Sequence, residues 1–381
     1  MVKTVIYEKT DDKAEKRLYE LYGERSDIGI VNRFLTEKKM LGHFGVAEYF
    51  EELAGICRES IDKYNEKLIA KNTVSCCFTA YLLGASELNP LPLHYYCKTC
   101  KHVEWVEGEE CLFDMKNTRR CECGAEMRID GYDIPWETYL PYAQRLKTKD
   151  PVPENYKDLF EALTKKHFQW SLLGAAQTVN LLGQATGVLP EEIDLNDREV
   201  KYRLLGGDYS CMPPKLAGFL KQAYTVVRPC SYAELLKLIG LAHGTGTWKH
   251  NAEELLMNGK CRLEDIPATR DEVFMMIRDA MQERGEYDTG FAYDVAEKAR
   301  RKGYYAEHGM DGYTIETLKN LGLDDWFASY LLGVRYMSTK ALSVMELWHI
   351  IVLTWYRTYY PKQYAEVIGD ENIWEGGENN G

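Results

Sequence analysis

A mainly helical fold with one small β module is what this sequence predicts, and three observations carry the prediction. Apolar residues recur three or four apart along most of Leu159–Ile368, the period of helices with one buried face. Between residues 94 and 133 that period gives way to alternating cysteines, aromatics and charges, the texture of a β-ribbon held by metal. A chain of 381 residues with 45% hydrophobic and 12% aromatic content can bury a proper interior, divided among two or three domains.

Taken in order, residues from Asp12 to about Leu68 keep the helical period, with Gly23, Gly42 and Gly45 read as breaks between two or three helices. Asn72–Leu83, rich in β-branched and small residues, reads as a strand or buried turn leading into a helix, and the turn Asn89-Pro90-Leu91-Pro92 closes it. Beyond the ribbon, Pro141, Pro151 and Pro153 mark 140–157 as loop and as a domain boundary. Helices are then expected over Leu172–Leu182, Tyr232–Leu241, Asn251–Met257, Asp271–Arg284, Tyr293–Lys302, Thr314–Leu321, Asp324–Arg335 and Ala341–Tyr360. Ser231, Asp265, Thr269 and Thr314 are placed to cap helices. The division that follows is 1–93, 94–140, a linker at 141–170, 171–368, and a disordered tail at 369–381, where Gly, Glu and Asn leave little to bury.

Forty-seven basic against fifty-nine acidic residues give a net charge of −12, which opposes broad attraction to a phosphate backbone, so any contact with DNA must come from a local patch. The first residues, MVKTVIYEKTDDKAEKR, hold no apolar leader core. The longest apolar run, Ala341–Tyr360, contains Glu346, His349 and Arg357, so it is expected as a buried helix rather than a membrane span. The eleven cysteines are therefore expected as reduced thiols of a cytoplasmic protein, some of them metal ligands.

Two close pairs stand out, Cys97-Lys98-Thr99-Cys100 and Cys121-Glu122-Cys123. Zn²⁺ takes four soft ligands in a tetrahedron, and two knuckles supply thiolates two at a time. Cys97, Cys100, Cys121 and Cys123 are the expected ligands of a structural zinc, a closed shell without the open position that a catalytic metal needs. The tight second pair leaves Cys111, His94 or His102 as a replacement for Cys121. The plainer alternative is a set of free thiols. Cys57, Cys76, Cys77, Cys211, Cys230 and Cys261 read as small core residues.

Leu88-Asn89-Pro90-Leu91-Pro92-Leu93-His94-Tyr95-Tyr96-Cys97, followed by Asp130-Gly131-Tyr132-Asp133-Ile134-Pro135-Trp136-Glu137-Thr138, resembles phrases of the PolC-type bacterial replicative DNA polymerases. So do Gly240-Leu241-Ala242-His243-Gly244-Thr245-Gly246-Thr247-Trp248 and Asn251-Ala252-Glu253-Glu254-Leu255, and the order stays collinear through Arg270-Asp271 to Arg335-Tyr336-Met337. The resemblance implies a helical finger-like region, a reduced α+β remnant of the palm and the small zinc ribbon. It also implies that the family's exonuclease, OB and later DNA- and clamp-binding elements lie outside these 381 residues.

The resemblance also marks what has changed. Where the family has its paired catalytic aspartates, this chain reads Asp150-Pro151-Val152-Pro153-Glu154-Asn155-Tyr156, and the third aspartate position is Ser171. The long stretch of palm between those phrases is reduced to a short segment. Two-metal phosphoryl transfer needs several oxygen ligands on a rigid frame, so no catalytic residue is assigned and no Mg²⁺ is expected. The family's glycine-rich triphosphate loop resembles Ala70-Lys71-Asn72-Thr73-Val74-Ser75-Cys76-Cys77, which has no glycine. By the resemblance, Lys71, Arg335 and Lys340 are the phosphate-contact positions that keep a cation; the alternative for Arg335 and Lys340 is that they are solvated helix charges.

Lys298, Arg300, Arg301 and Lys302, beside Tyr304 and Tyr305, combine cations with aromatics and resemble a DNA-approaching segment of the family; the alternative is a solvated helix end. The expected function is a non-catalytic interaction protein, carried by a mobile element, that binds replication proteins of the replisome and/or DNA and modulates or competes with a replicative polymerase of the host. The other two readings are a DNA-binding module that keeps the template contacts and a weak or complemented polymerase.

Overall fold

The computed structural model describes residues 12–24, 26–44, 47, 50–51, 54–55, 57–58, 69–70, 72–108, 111–139, 170–171, 174–300 and 303–369. The expected linker (all but 170), the tail beyond Gly369, and the positions Gly45, Lys71, Glu154, Arg301 and Lys302 lie outside the described residues.

Helix α1 (Lys13–Tyr22) begins where the Asp12 carboxylate accepts from the backbone N–H groups of Ala14 and Glu15, and it ends at Gly23 with φ of 81°. Helix α2 (Ile28–Phe44) runs through Gly42, which therefore does not break it. A glycine costs a helix only about 1 kcal/mol, and burial of Ile30, Phe34 and Leu41 on one face opposes that cost. Strand β1 (Ile69–Ala70) precedes a 3-10 turn at Asn72–Cys76, and α3 (Phe78–Leu83) follows, so the segment is a buried turn and helix rather than a longer strand.

The ribbon is an antiparallel sheet of β2 (His94–Cys97), β3 (Val103–Trp105), β4 (Thr118–Arg120) and β5 (Glu126–Asp130), in the order β3-β2-β5-β4. Tyr96 pairs with Arg128 and Arg128 with Thr118, so these three share one face. Tyr95, Cys97 and Met127 belong to the other face and form a small core of their own with Cys121. Strand β6 (Trp170–Ser171) returns to pair with β1, Ile69 opposite Ser171. That two-residue pair is all the described residues show of a palm-like sheet.

The rest is helical: α4 (Gly174–Thr186), α5 (Arg198–Leu205), α6 (Pro214–Ala223), α7 (Tyr232–His243), α8 (Glu253–Met257), α9 (Arg270–Gln282), α10 (Gly290–Arg300), α11 (Tyr304–His308), α12 (Gly312–Asn320), α13 (Asp325–Gly333), α14 (Lys340–Tyr359) and α15 (Pro361–Ile368). Ser231 caps α7, and Thr269 with Glu272 forms a reciprocal capping box at α9. Asp265 instead belongs to a 3-10 turn, and Thr314 lies inside α12. The α12 cap is Asp311, whose carboxylate accepts from both the Thr314 N–H and its hydroxyl at 2.8 Å.

The apolar run expected as a buried helix is α14. Met345, Leu347, Ile350, Ile351 and Leu353 bury more than one of its sides, while Glu346 pairs with His243 and Arg357 with Asp208. One continuous apolar cluster runs from Ala14 through the ribbon loop residue Phe113 to Ile351. Among the described residues no helix is long and apolar enough to cross a membrane.

Candidate functional site

Cys97 ends β2, and its backbone N–H donates to the His102 carbonyl as the chain turns through Cys100. Cys121 follows β4, and the turn back to β5 through Cys123 closes at Gly124, whose φ is 88°. The four sulfurs gather within 4.8 Å of one another, with Cys97 Sγ 3.6 Å from Cys123 Sγ and Cys100 Sγ 3.5 Å from Cys121 Sγ. Zn–S bonds of about 2.3 Å in a tetrahedron put sulfurs about 3.8 Å apart, so the donor set and its spacing fit a metal shell, whereas a disulfide needs about 2.05 Å. Backbone N–H groups of Cys100 and then Thr99 point at the Cys97 thiol and draw it down to about 6, while the thiols beside Cys100 and Cys121 push those two up. The tight Cys-x-Cys pair is accommodated by the turn. Among the described residues His94, His102 and Cys111 do not join the four gathered thiols: His102 faces Glu104 at 3.4 Å, and Cys111 lies before the 3-10 turn Leu112–Asp114.

His94 is fully buried. Its Nδ1 lies 2.7 Å from the Pro92 carbonyl and its Nε2 3.1 Å from the Tyr22 hydroxyl. Asn89 Nδ2 donates to that hydroxyl and to Asp130, and Tyr81 donates to the same carboxylate. The backbones of Asn89–Leu91 and Tyr132–Ile134 exchange further bonds, with Tyr132 N–H donating to Asn89, Asp133 to Leu91 and Ile134 to Pro90. A side chain on Gly131 would meet the Pro92 carbonyl oxygen at 2.4 Å, so only glycine fits there. The quoted phrases Asn-Pro-Leu-Pro and Asp-Gly-Tyr-Asp are thus the two halves of one clasp holding α1, α3 and the ribbon together.

A second seam joins ribbon and helices. Asp114 accepts from the N–H groups of Tyr232 and Ala233 at the start of α7, where the helix dipole favours a carboxylate, and Lys201 approaches it at 2.6 Å. Buried Asp271 accepts from the Thr138 hydroxyl and from the Lys340 N–H at the start of α14, both at 2.7 Å. Lys340 Nζ donates to the Asp133 carbonyl at 3.0 Å. Nearby, Val74, Ser75, Cys76 and Cys77 are at most 2% exposed. The Arg33 guanidinium donates to the Cys76 carbonyl, and burial, reinforced by Asp271, pushes the Cys76 thiol up to about 12. Asp114, Arg33 and Asp271 were not singled out as site residues in the sequence, because each works through a contact distant along the chain; only Arg270-Asp271 gave a signal, as part of a collinear phrase.

Of the remaining candidates, Arg335 is exposed. Lys298 pairs with Asp294 at 2.6 Å and lies over the Tyr304 ring, and Arg300 is held by both oxygens of Glu297. Tyr304 stacks on His308 with ring centroids 4.7 Å apart.

No family model matches the chain. Curated relatives described as DNA polymerase III PolC-type do. The protein of Caldanaerobacter subterraneus subsp. tengcongensis is 22% identical over 474 residues, covering 92% of this chain and 33% of its own length. That of Streptococcus thermophilus is 21% identical over 96% of this chain, and that of Staphylococcus aureus 22% over 90%, again at about a third of their own lengths. The chain is a distant PolC-like relative. It spans about a third of the length of the relatives it matches. The 474 aligned positions outnumber its 381 residues, so the match contains a sizeable internal stretch that the Caldanaerobacter polymerase has and this PolC-like chain lacks.

Proposed function

We propose that this PolC-like chain acts by binding, as a non-catalytic partner of replication proteins and DNA, and does not polymerise DNA. The observation that carries the reading is the packing of Val74–Cys77. A loop that cradles phosphates must offer open backbone amides, which glycine permits. Here the equivalent segment is core, tied by Arg33, and Lys340, the cation retained opposite it, donates to the Asp133 carbonyl. The carboxylates are missing as well: Ser171 stands at the third position and Glu154 is what remains of the pair. Primer extension by the full chain with Mg²⁺ or Mn²⁺ is expected to yield no product, and templated extension that co-elutes with the chain and is absent from a mock preparation would overturn the reading.

In the same reading Cys97, Cys100, Cys121 and Cys123 hold a structural Zn²⁺. When bound, the ion cross-links the two knuckles and supplies folding free energy to the ribbon. With four thiolates it has no position for substrate.

A second reading, that the chain keeps a grip on template, is favoured by the stacked pair Tyr304 and His308 beside exposed Arg335, whose carbonyl accepts from the Gly303 N–H. Exposed Arg335 and the cations Arg301 and Lys302 are its phosphate contacts. A gel shift with single-stranded DNA at low salt should then weaken as salt rises, with a slope of roughly −0.7 per phosphate contacted. Changing Arg301 and Arg335 together to Ala should lower that slope, and no shift at low salt ends the second reading.

A further inference from the structure

The four thiols of the ribbon are not equivalent. Cys97 and Cys121 are buried, while Cys100 and Cys123 are exposed. The two sulfur contacts in hydrogen-bonding geometry each join one of either kind: exposed Cys123 meets buried Cys97 at 3.6 Å, and exposed Cys100 meets buried Cys121 at 3.5 Å. Both contacts cross from one knuckle to the other. The buried members are fixed by their surroundings. Cys97 ends β2 opposite Met127, the Cys121 N–H donates to the Ala125 carbonyl at 2.8 Å, and both pack with Tyr95 in the ribbon's small core. The exposed members lie on turns, 98–100 and 122–123. Closing either contact into a disulfide needs the sulfurs to approach by about 1.5 Å, a movement that a turn supplies more readily than a strand.

We infer that the cross-knuckle pairs Cys97–Cys123 and Cys100–Cys121 are an oxidation site for hydrogen peroxide, at which the ribbon exchanges its metal for two disulfides. The exposed thiolate of a pair attacks one peroxide oxygen, the O–O bond breaks, and the departing hydroxide takes a proton to become water. Its buried partner then attacks the sulfenic sulfur, the S–S bond forms, and the second oxygen leaves with a further proton as water. Each pair loses two electrons and one peroxide gains them, so two peroxides convert four thiolates into two disulfides and four waters. A disulfide carries no charge to hold a cation, and the shell lets go of Zn²⁺. Four cysteines allow three connectivities. Pairing within the knuckles would close one ring across the single residue Glu122 and leave the knuckles unjoined, and pairing buried with buried would keep both sulfurs of one bond away from the oxidant. The cross-knuckle choice replaces the cross-link that the metal supplies, so the ribbon keeps its seat against α7 when the ion leaves. The inference rests on the zinc reading above for the ion that is lost, not for the pairing, and the two are scored by separate measurements.

The test treats the full chain, its zinc content first measured by atomic emission, with two equivalents of hydrogen peroxide. Released zinc is read with a chromogenic chelator, remaining thiols are alkylated, and the chain is mapped by mass spectrometry without reduction. Trypsin cuts at Lys98 and a glutamate-specific protease at Glu122, between the two cysteines of each knuckle, so the three connectivities give different linked peptides. Links Cys97–Cys123 and Cys100–Cys121 are expected, with full release of zinc and recovery of the starting state on adding dithiothreitol and zinc. Exposed Cys230, whose thiol donates to Glu234 at 3.5 Å, is the internal control and should stay open to alkylation. The thermal midpoint of the oxidised chain should stay above that of the reduced chain stripped of zinc. Cys123→Ser should form Cys100–Cys121 alone and leave Cys97 open to alkylation, and if that variant does not fold the map of the parent chain decides. A chain that holds no zinc but gives both cross-knuckle links refutes the metal and keeps the pairing. Links within a knuckle, a Cys97–Cys121 link, loss of zinc with all four thiols still alkylated, or consumption of Cys230 before the ribbon thiols would overturn the inference.

Discussion

His94 shows how a residue that looks like a metal ligand in the sequence can be a structural one. It stands three positions before Cys97, yet both ring nitrogens are engaged, by Pro92 and by Tyr22. Burial disfavours the imidazolium and lowers its pKa below the ordinary 6.5, against the opposing pull of Asp130. The sign of the linkage follows. Above about pH 6.5 His94 is neutral in both folded and unfolded chains and costs nothing. As pH falls below that value the unfolded chain takes up a proton that the folded chain refuses, so stability drops until the folded pKa is reached. Urea denaturation between pH 7.5 and 5.5 should therefore show stability falling with acid, and His94→Gln should flatten that fall while lowering stability at pH 7.5 by about 1–3 kcal/mol through the lost hydrogen bonds. A variant with the parent's full pH slope would mean that other groups set it.

At the scale of elements, the four-cysteine ribbon makes the sharpest prediction. The parent chain should carry one zinc per molecule by atomic emission. Cys97→Ser or Cys121→Ser should lose it, with the thermal midpoint falling several degrees, whereas Cys111→Ser should keep it. Retention of zinc by Cys121→Ser would return the fourth ligand to a substitute. This element was legible in the sequence because its ligands are close in the chain and their chemistry is restrictive. Helices with a clear apolar stripe, α7 and α9, were legible for a similar reason, since their periodicity is local, and α14 was legible as a long apolar run buried on more than one side. Gly42, Asp265 and Thr314 misled because a glycine can sit inside a helix and a capping residue competes with neighbours, here Asp311, whose carboxylate serves better. Least legible were the contacts that join ribbon and helices. Asp114 at the start of α7, and the turn 190–195 facing the ribbon, join residues far apart in sequence, and no period or motif announces them.

For the whole molecule, the question is whether ribbon and helices unfold as separate units. The sequence divides them at residues 94–140 and 171–368, but their seams are apolar as well as polar. Phe113 from the ribbon side meets Tyr232 of α7 edge-on at 6.4 Å, and one cluster joins Ala14 to Ile351. Asp114 of the ribbon side accepts from the start of α7, and Asp271 of the helices accepts from the Thr138 hydroxyl on the ribbon side. Units that share a core and hydrogen-bond across their seam lose stability together. Calorimetry of the zinc-loaded chain should give a single transition, and removing zinc with a chelator should move that transition down as a whole rather than split off a low-temperature peak from the ribbon. Asp114→Asn, which leaves the zinc ligands intact but weakens the seam, should lower the same transition. Two resolved peaks, only one of them sensitive to chelator, would show that the ribbon stands alone.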